Sequence, residues 1–461
     1  MDFCRLYAVN NFSRKIMKIR NVLLILIIIT SVFLASCEGP VGPAGKDANE
    51  TCKECHNQTI VDPKVVEFDF SKHKYGEAAF EEAGNIACAP CHESEGFKYV
   101  CANNIPATFT QNTGTGKYSN DYVATTSIAY GKLSCFTCHS KIHTTYAMTD
   151  FFPLTNTAAV SMTMWKGSKS INLPQDNGMS NLCVKCHQPR PLTTSSTIST
   201  GDIVDYDALA SNPAGIFYDA AVGNAAPNKV IPSYRTHVHY GTVGAVYAGI
   251  GGVHFTGNVA YANSAHTSAA SCKDCHMVTI KGRAGGHTFK MRSTEGVLGS
   301  STDWNFNGCN VAGCHSTAIT RDSDTFWKLS RNNIKTLLNS LAAKINAVGS
   351  GIPILHSESD GEANLWAGMT TGNFDGYLDI YDPSTNPSGV WKNPAPSGSW
   401  TQTDKNYNNT LQTFPSLKNV HIGALINFQL CLREYSLGIH NYKYSKALLQ
   451  NSLDALTAAG Y

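Results

Sequence analysis

The chain has 461 residues, 42% of them hydrophobic, which is enough to build globular cores. Formal net charge is +2 and only 15% of residues are charged, so the composition offers no basic face and excludes nucleic acid as an expected partner. The outlying counts are 16 Cys and 16 His.

In chain order the first feature is an export signal starting at Met17. Lys18 and Arg20 precede the apolar run Val22 to Leu34, which is shorter than the roughly 20 residues of a membrane span. Met1 to Ile16 reads as an upstream mis-start. The run closes on Leu34-Ala35-Ser36-Cys37, which resembles the lipobox of bacterial lipoproteins, where cleavage precedes the cysteine and its thiol receives a diacylglyceryl group. That resemblance makes 1–36 the signal peptide and Cys37 the lipid anchor to a membrane; the alternative is an ordinary secretory peptide with an incidental Cys. Glu38 after the cysteine favours the outer membrane or surface of a Gram-negative cell. Residues 37–51 include the collagen-like run Gly39-Pro40-Val41-Gly42-Pro43-Ala44-Gly45, too short for a triple helix, and form a solvated tether.

Five segments then read Cys-x-x-Cys-His: Cys52, Cys55 and His56; Cys88, Cys91 and His92; Cys135, Cys138 and His139; Cys183, Cys186 and His187; Cys272, Cys275 and His276. Chance placement at this composition would give on the order of 0.02 such motifs, so the pattern is not accidental. Disulfides do not require this spacing, zinc sites do not require His directly after the second Cys, and a thioredoxin-like pair fails on the same ground. Covalent haem does require it. Two thiols add across the two vinyl groups of one porphyrin, and the next residue lies under the iron, where an imidazole supplies the proximal ligand. A sixth segment, Cys309-Asn310-Val311-Ala312-Gly313-Cys314-His315, has a four-residue spacer that must bulge, with Gly313 to relieve the bend. It is a haem site by its retained Cys-His, with a local disulfide as the alternative. Of the four remaining cysteines, Cys4 precedes the mature chain and Cys37 is the anchor. Cys101 and Cys431 read as buried small hydrophobes, with a disulfide between them left open.

Six motif histidines leave ten others, against seven Met after Cys37, so ligation by two histidines is the expected general state of the irons. The arrangement from His73 to Leu449 resembles the large multihaem c-type cytochromes of bacterial surfaces, including those that assemble into filaments. The resemblance rests on Phe70-Ser71-Lys72-His73 ahead of the second motif, His143 four residues after His139, His237-Val238-His239-Tyr240-Gly241, Tyr261-Ala262-Asn263-Ser264-Ala265-His266 and Gly285-Gly286-His287-Thr288-Phe289-Lys290-Met291. It implies His73, His143, His237, His239, His266 and His287 as distal ligands. The inserted Val238 departs from the paired-His pattern and leaves one of His237 and His239 in question. His254, His356 and His421 are weaker candidates, and Met277 and Met291 rank below His287.

Between Cys52 and His315 the sequence is rich in Gly, Ser, Thr and Asn with few sustained helical periods, and the motif starts follow no fixed repeat. The expected fold is haem-organised, mostly irregular with short α-helices and little β, and with longer helices in the C-terminal third. Residues 52–320 form the hexahaem region and 321–461 a helical C-terminal region. Thr325 to Val348 carries Phe326, Leu329, Ile334, Leu337, Leu338, Leu341 and Ile345 at helical spacing. Residues 350–414, rich in Gly, Pro, Asn and Trp, read as a long irregular insertion, in which Asn373, Asp375 and Asp379 are weak candidates for calcium against a solvated turn. Leu417 to Ala459 is a second helical region. Within it Ser436-Leu437-Gly438-Ile439-His440-Asn441 resembles a C-terminal segment of the nitrite reductase and octahaem cytochrome families, which implies His440 as a distal ligand and nothing more. Those reductases need an iron with an open axial position, in the nitrite enzyme marked by Lys in place of the motif His, and all six motifs here end in His.

The expectation is an electron carrier with no catalytic residue, exchanging electrons with other redox proteins or an extracellular acceptor. A homopolymer is a further expectation from the resemblance. The alternative is a multihaem reductase of a nitrogen or sulfur oxyanion.

Overall fold

The computed structural model describes residues 48–76, 88–104, 131–162, 169–190, 192, 204–219, 236–293, 303–315, 317–349, 354–357 and 415–461, together with the short strands 110–111, 118–119, 374–378, 390–392 and 411–413. Cys37, Asn373, Asp379 and the side chain of Asp375 fall outside those residues. The fold is built of short helices with little strand, and the long helices come at the C-terminal end, as the composition implied. Helices described before residue 320 do not exceed nine residues. The strands pair two by two, antiparallel, and the longest is Phe374–Leu378. No helix among the described residues is long and apolar enough to cross a membrane.

The chain divides into two compact units, residues 1–61 and 62–461. In the first, the helix Ala48–Cys55 is closed by Asn57, whose side-chain amide donates to the Lys53 and Glu54 carbonyls at 2.9 Å each.

In the second unit the core is centred on three helices. Leu329–Ala347 buries Ile334, Leu338, Leu341, Ala342 and Ile345, one apolar stripe at helical spacing. The helix starts later than the apolar pattern suggests, because Asp324–Lys328 forms a π-helical turn and leaves Phe326 and Leu329 exposed. Asn419–Arg433 is buried on every side from Val420 onward, so it is the central element. Two of its amide side chains, Asn427 and Gln429, are satisfied inside. Asn427 donates to Val253 O at 2.8 Å and Ser452 Oγ at 2.9 Å while accepting Val253 N–H at 2.8 Å. Gln429 donates to Thr236 O at 2.9 Å and accepts Val238 N–H at 3.1 Å. These bonds fasten residues 236–253 onto the helix, which places His237 and His239. Tyr442–Ala458 packs alongside, capped by Asn441, whose amide also donates to Val246 O at 3.0 Å. The apolar core runs from Val160 through Phe255 to Leu456 and so crosses the composition change near residue 320.

Candidate metal centres

Each Cys-x-x-Cys-His segment makes one tight turn. The motif histidine donates its backbone N–H to the carbonyl of the first cysteine at 2.7 Å for His56, 3.0 Å for His92 and 2.9 Å for both His139 and His187. In the fifth motif the same turn is the helix Cys272–His276. Helical pitch then sets both sulfurs and the imidazole within one turn of each other. Two of these turns are nucleated by capping boxes, Ser134 with Thr137 and Ser271 with Asp274, so the residue before the first cysteine fixes where the turn starts. In the sixth segment Cys314 N–H donates to Val311 O at 3.2 Å, and Gly313 takes the left-handed conformation at φ 87° that its expanded spacer requires. Among the described residues all cysteines are free thiols, so neither Cys309 with Cys314 nor Cys101 with Cys431 is bridged.

Tertiary packing brings histidines together in twos. Ring centroids are 6.4 Å apart for His92 and His239, 6.4 Å for His139 and His287, 6.0 Å for His187 and His73, 6.1 Å for His276 and His440, and 6.1 Å for His315 and His266. Every pair joins one motif histidine to one histidine outside the motifs. Two imidazoles bonded to opposite sides of one metal, each at about 2 Å, set their centroids roughly 6.3 Å apart. The five separations match that value. Among the described residues no three His, Cys, Asp or Glu side chains converge as in a zinc site.

The second nitrogens are also specified. His139 Nδ1–H donates to Phe151 O at 2.7 Å, His276 Nδ1–H to Phe289 O at 2.9 Å, His266 Nδ1–H to Ile439 O at 2.9 Å and His440 Nδ1–H to Glu434 Oε2 at 2.5 Å. A proton held at Nδ1 leaves the Nε2 lone pair free for a metal. Burial holds His73 and His276 down at about 4 and lowers His139, His187, His239, His287 and His315, so these rings are neutral, the form that ligates. At His440 burial again disfavours the charge, but the attraction and hydrogen bond of Glu434 outweigh it and raise the imidazole.

The other candidates stand differently. His237 lies 6.3 Å from His239, and its Nδ1 accepts the His239 N–H at 3.1 Å. His143, at a left-handed φ of 64°, is exposed and stacks on Tyr146 at 5.6 Å. His254 bonds Tyr444 Oη at 2.8 Å and stacks on Tyr261 at 4.2 Å, and His421 Nδ1 accepts the Lys418 N–H at 2.9 Å at the start of its helix. His421 is buried in the framework, and His254 is exposed at its edge. The side chain of His356 lies outside the described residues.

Two residues gain importance that sequence reasoning did not give them. Phe289 accepts the His276 N–H through its carbonyl while its ring lies edge-on to His73 at 4.9 Å and near His287 at 5.8 Å, so one residue touches three of the five pairs. Glu434 sits six residues before His440 and matches no local motif. The motifs themselves are neighbours, with Cys186 Sγ 3.8 Å from Cys91 O and the Cys272 N–H donating to Ser180 Oγ, three residues before Cys183, at 3.0 Å. Large apolar side chains near the motifs stay exposed, including Phe136, Tyr146, Phe152, Ile280, Val311 and Phe326, and a flat apolar group lying on the motifs would cover them.

Comparison with protein-family models, curated proteins and solved structures returns no match to this chain.

Proposed function

We propose that this chain is a c-type cytochrome that carries electrons along about six covalently bound haems, most of them ligated by two histidines. The observation that carries the proposal is the set of five imidazole pairs at 6.0 to 6.4 Å, each containing one motif histidine. The thiols of each motif hold the porphyrin edge, the motif histidine binds the iron from one side, and His73, His239, His266, His287 or His440 binds it from the other. When bound, the iron supplies the one-electron chemistry. The chain's own part is to fix ring spacing, keep the imidazoles neutral and set the charge around them. Export and anchoring through Cys37 put the protein at the outer membrane or cell surface, where its partners are other redox proteins or an extracellular acceptor. An oxyanion reductase needs an iron with an open axial position, and five of the six motif histidines already stand opposite a second imidazole.

The test is a haem-per-chain measurement on protein exported in a host that attaches c-type haem. About six haems per chain, with ferric spectra predominantly low-spin, is the expected result. Colourless protein whose motif thiols are free or oxidised to one another removes the proposal.

A further inference from the structure

His440 differs from His139, His276 and His266 in what its Nδ1 proton meets. His139, His276 and His266 donate to backbone carbonyls, which are neutral. His440 donates to a carboxylate at 2.5 Å, and that carboxylate is built into the fold. Glu434 is 2% exposed, with a fully covered side chain, and it accepts from Ser436 N–H at 3.1 Å, Ser436 Oγ–H at 2.7 Å and Gly438 N–H at 3.1 Å as well as from His440. The turn that supplies these donors is costly to make. Tyr435 and Leu437 both take left-handed φ, 64° and 56°, and Gly438 follows at 89°. His440 is locked from the other side too, since its backbone N–H donates to Ser436 Oγ at 3.0 Å. Elsewhere His287 Nδ1 lies 3.6 Å from Glu67, beyond a hydrogen bond, and Glu67 instead accepts the His287 backbone N–H at 2.8 Å.

We infer that Glu434 is a redox-tuning residue: its buried carboxylate gives His440 imidazolate character and makes the haem held by His276 and His440 harder to reduce than a neutral acceptor would. The inference rests on the haem reading above. Ferric iron carries one more positive charge than ferrous, so a nearby buried anion and a more strongly donating ligand both favour the oxidised state. The position gives this consequence for the whole row. Through Phe289 the His276–His440 pair adjoins the His73–His187 pair, and through Ile439, whose carbonyl accepts from His266, it adjoins the His266–His315 pair. An interior station of low potential makes passage across it an uphill step, and separates electrons resident on the two sides.

Glu434→Gln in the holoprotein tests this, because the amide keeps an acceptor oxygen and the shape while deleting the charge. Haem content is measured first, then the potentials by spectroelectrochemical titration and the ferric ligand field by electron paramagnetic resonance. With the haem count intact, one step moves upward and the remaining steps stay in place, and Glu434→Asp restores the direction of the wild-type curve. A Glu434→Gln titration that superimposes on wild type overturns the inference. Should the variant lose a haem, the wild-type spectrum decides: one low-spin species with the compressed g-spread of an imidazolate-like ligand supports the assignment, and its absence sinks it. A wild-type protein without haem is a failure of the functional reading instead, and is seen in the first measurement.

Discussion

At the scale of single residues, a histidine's job depends on what its two nitrogens meet, and this separates His239 from His254 although each lies in a Gly-rich stretch with a neighbouring Tyr. His239 faces His92 at 6.4 Å, whereas His254 spends its Nε2 on Tyr444 and its ring face on Tyr261. We expect His239→Ala to convert one haem to a high-spin form that binds carbon monoxide when reduced, leaving the others low-spin. His254→Ala should leave every haem low-spin and lower stability by about 0.5–1.5 kcal/mol, the usual range for one lost hydrogen bond, since His254 is exposed. A high-spin signal in the second variant and none in the first would reverse the assignment. His421 has a pH signature of its own. Burial, reinforced by Lys418, holds it at about 4 against 6.5 when unfolded, so the unfolded chain takes the proton first as pH falls. Its contribution is complete above about pH 6.5 and is lost progressively towards pH 4, a change of about 1–3 kcal/mol. Denaturant unfolding of the holoprotein at pH 7.5 and pH 5 should show a smaller pH difference in His421→Gln than in wild type; an equal difference would remove His421 as its source. The motif turns were legible from spacing alone, because Cys-x-x-Cys-His is a local pattern. Which histidines pack against them was named only through resemblance, since nothing local marks a histidine that meets another from one that braces the framework, and the contact of Glu434 with His440 was invisible because it arises from a turn.

At the scale of elements, the buried helix Asn419–Arg433 meets the segment 253–255 across a gap set by a small residue. Gly423 lies where an added Cβ would come within 2.4 Å of the Phe255 ring and 3.0 Å of Val253. Alanine has the better helix propensity by about 1 kcal/mol, yet overpacking of this kind costs about 1–3 kcal/mol, so Gly423→Ala should destabilise on balance. Thermal unfolding of the holoprotein measures it, and a raised midpoint would mean that Phe255 moves aside freely. The sequence pattern found helical content in Thr325 to Val348 and in Leu417 to Ala459. It did not find the π-helical first turn of the former or the break at 434–441 in the latter, where Tyr435 and Leu437 adopt left-handed backbone that side-chain type does not announce. That break sets His440 beside His276, so the least legible stretch of the C-terminal region is the one that completes an imidazole pair.

For the whole molecule, the question is what holds residues 62–315 in place, given that their helices are short and their strands shorter. The motif turns are short, and neighbouring ones touch. The fourth and fifth are tied to residues 243–248 by the Gly244 N–H donating to His187 O and the Tyr247 hydroxyl donating to Ala270 O, and the segments 204–219 and 236–261 are fastened to the buried helix Asn419–Arg433 by the strand pair Ile216–Tyr218 with Leu417–Lys418 and by Asn427 and Gln429, and to the helix Tyr442–Ala458 by Asn451. Apolar contacts run the same way, with Val253 and Phe255 in one cluster with Leu425, Phe428 and Leu448. His239 and His266 therefore owe their positions to a helix pair that follows them by nearly 200 residues. A chain ending after residue 415 would lose that helix pair, the ligand His440 and the cover over Val238 and Val253. We expect it to fail to accumulate as a folded holoprotein, despite retaining all six motifs, and to be degraded or recovered with sub-stoichiometric haem. The measurement is haem per chain together with limited proteolysis, set beside the full-length protein. A soluble, protease-resistant truncated chain retaining at least five low-spin haems would show that porphyrin burial alone can organise these loops, and that the C-terminal helices serve only to supply His440.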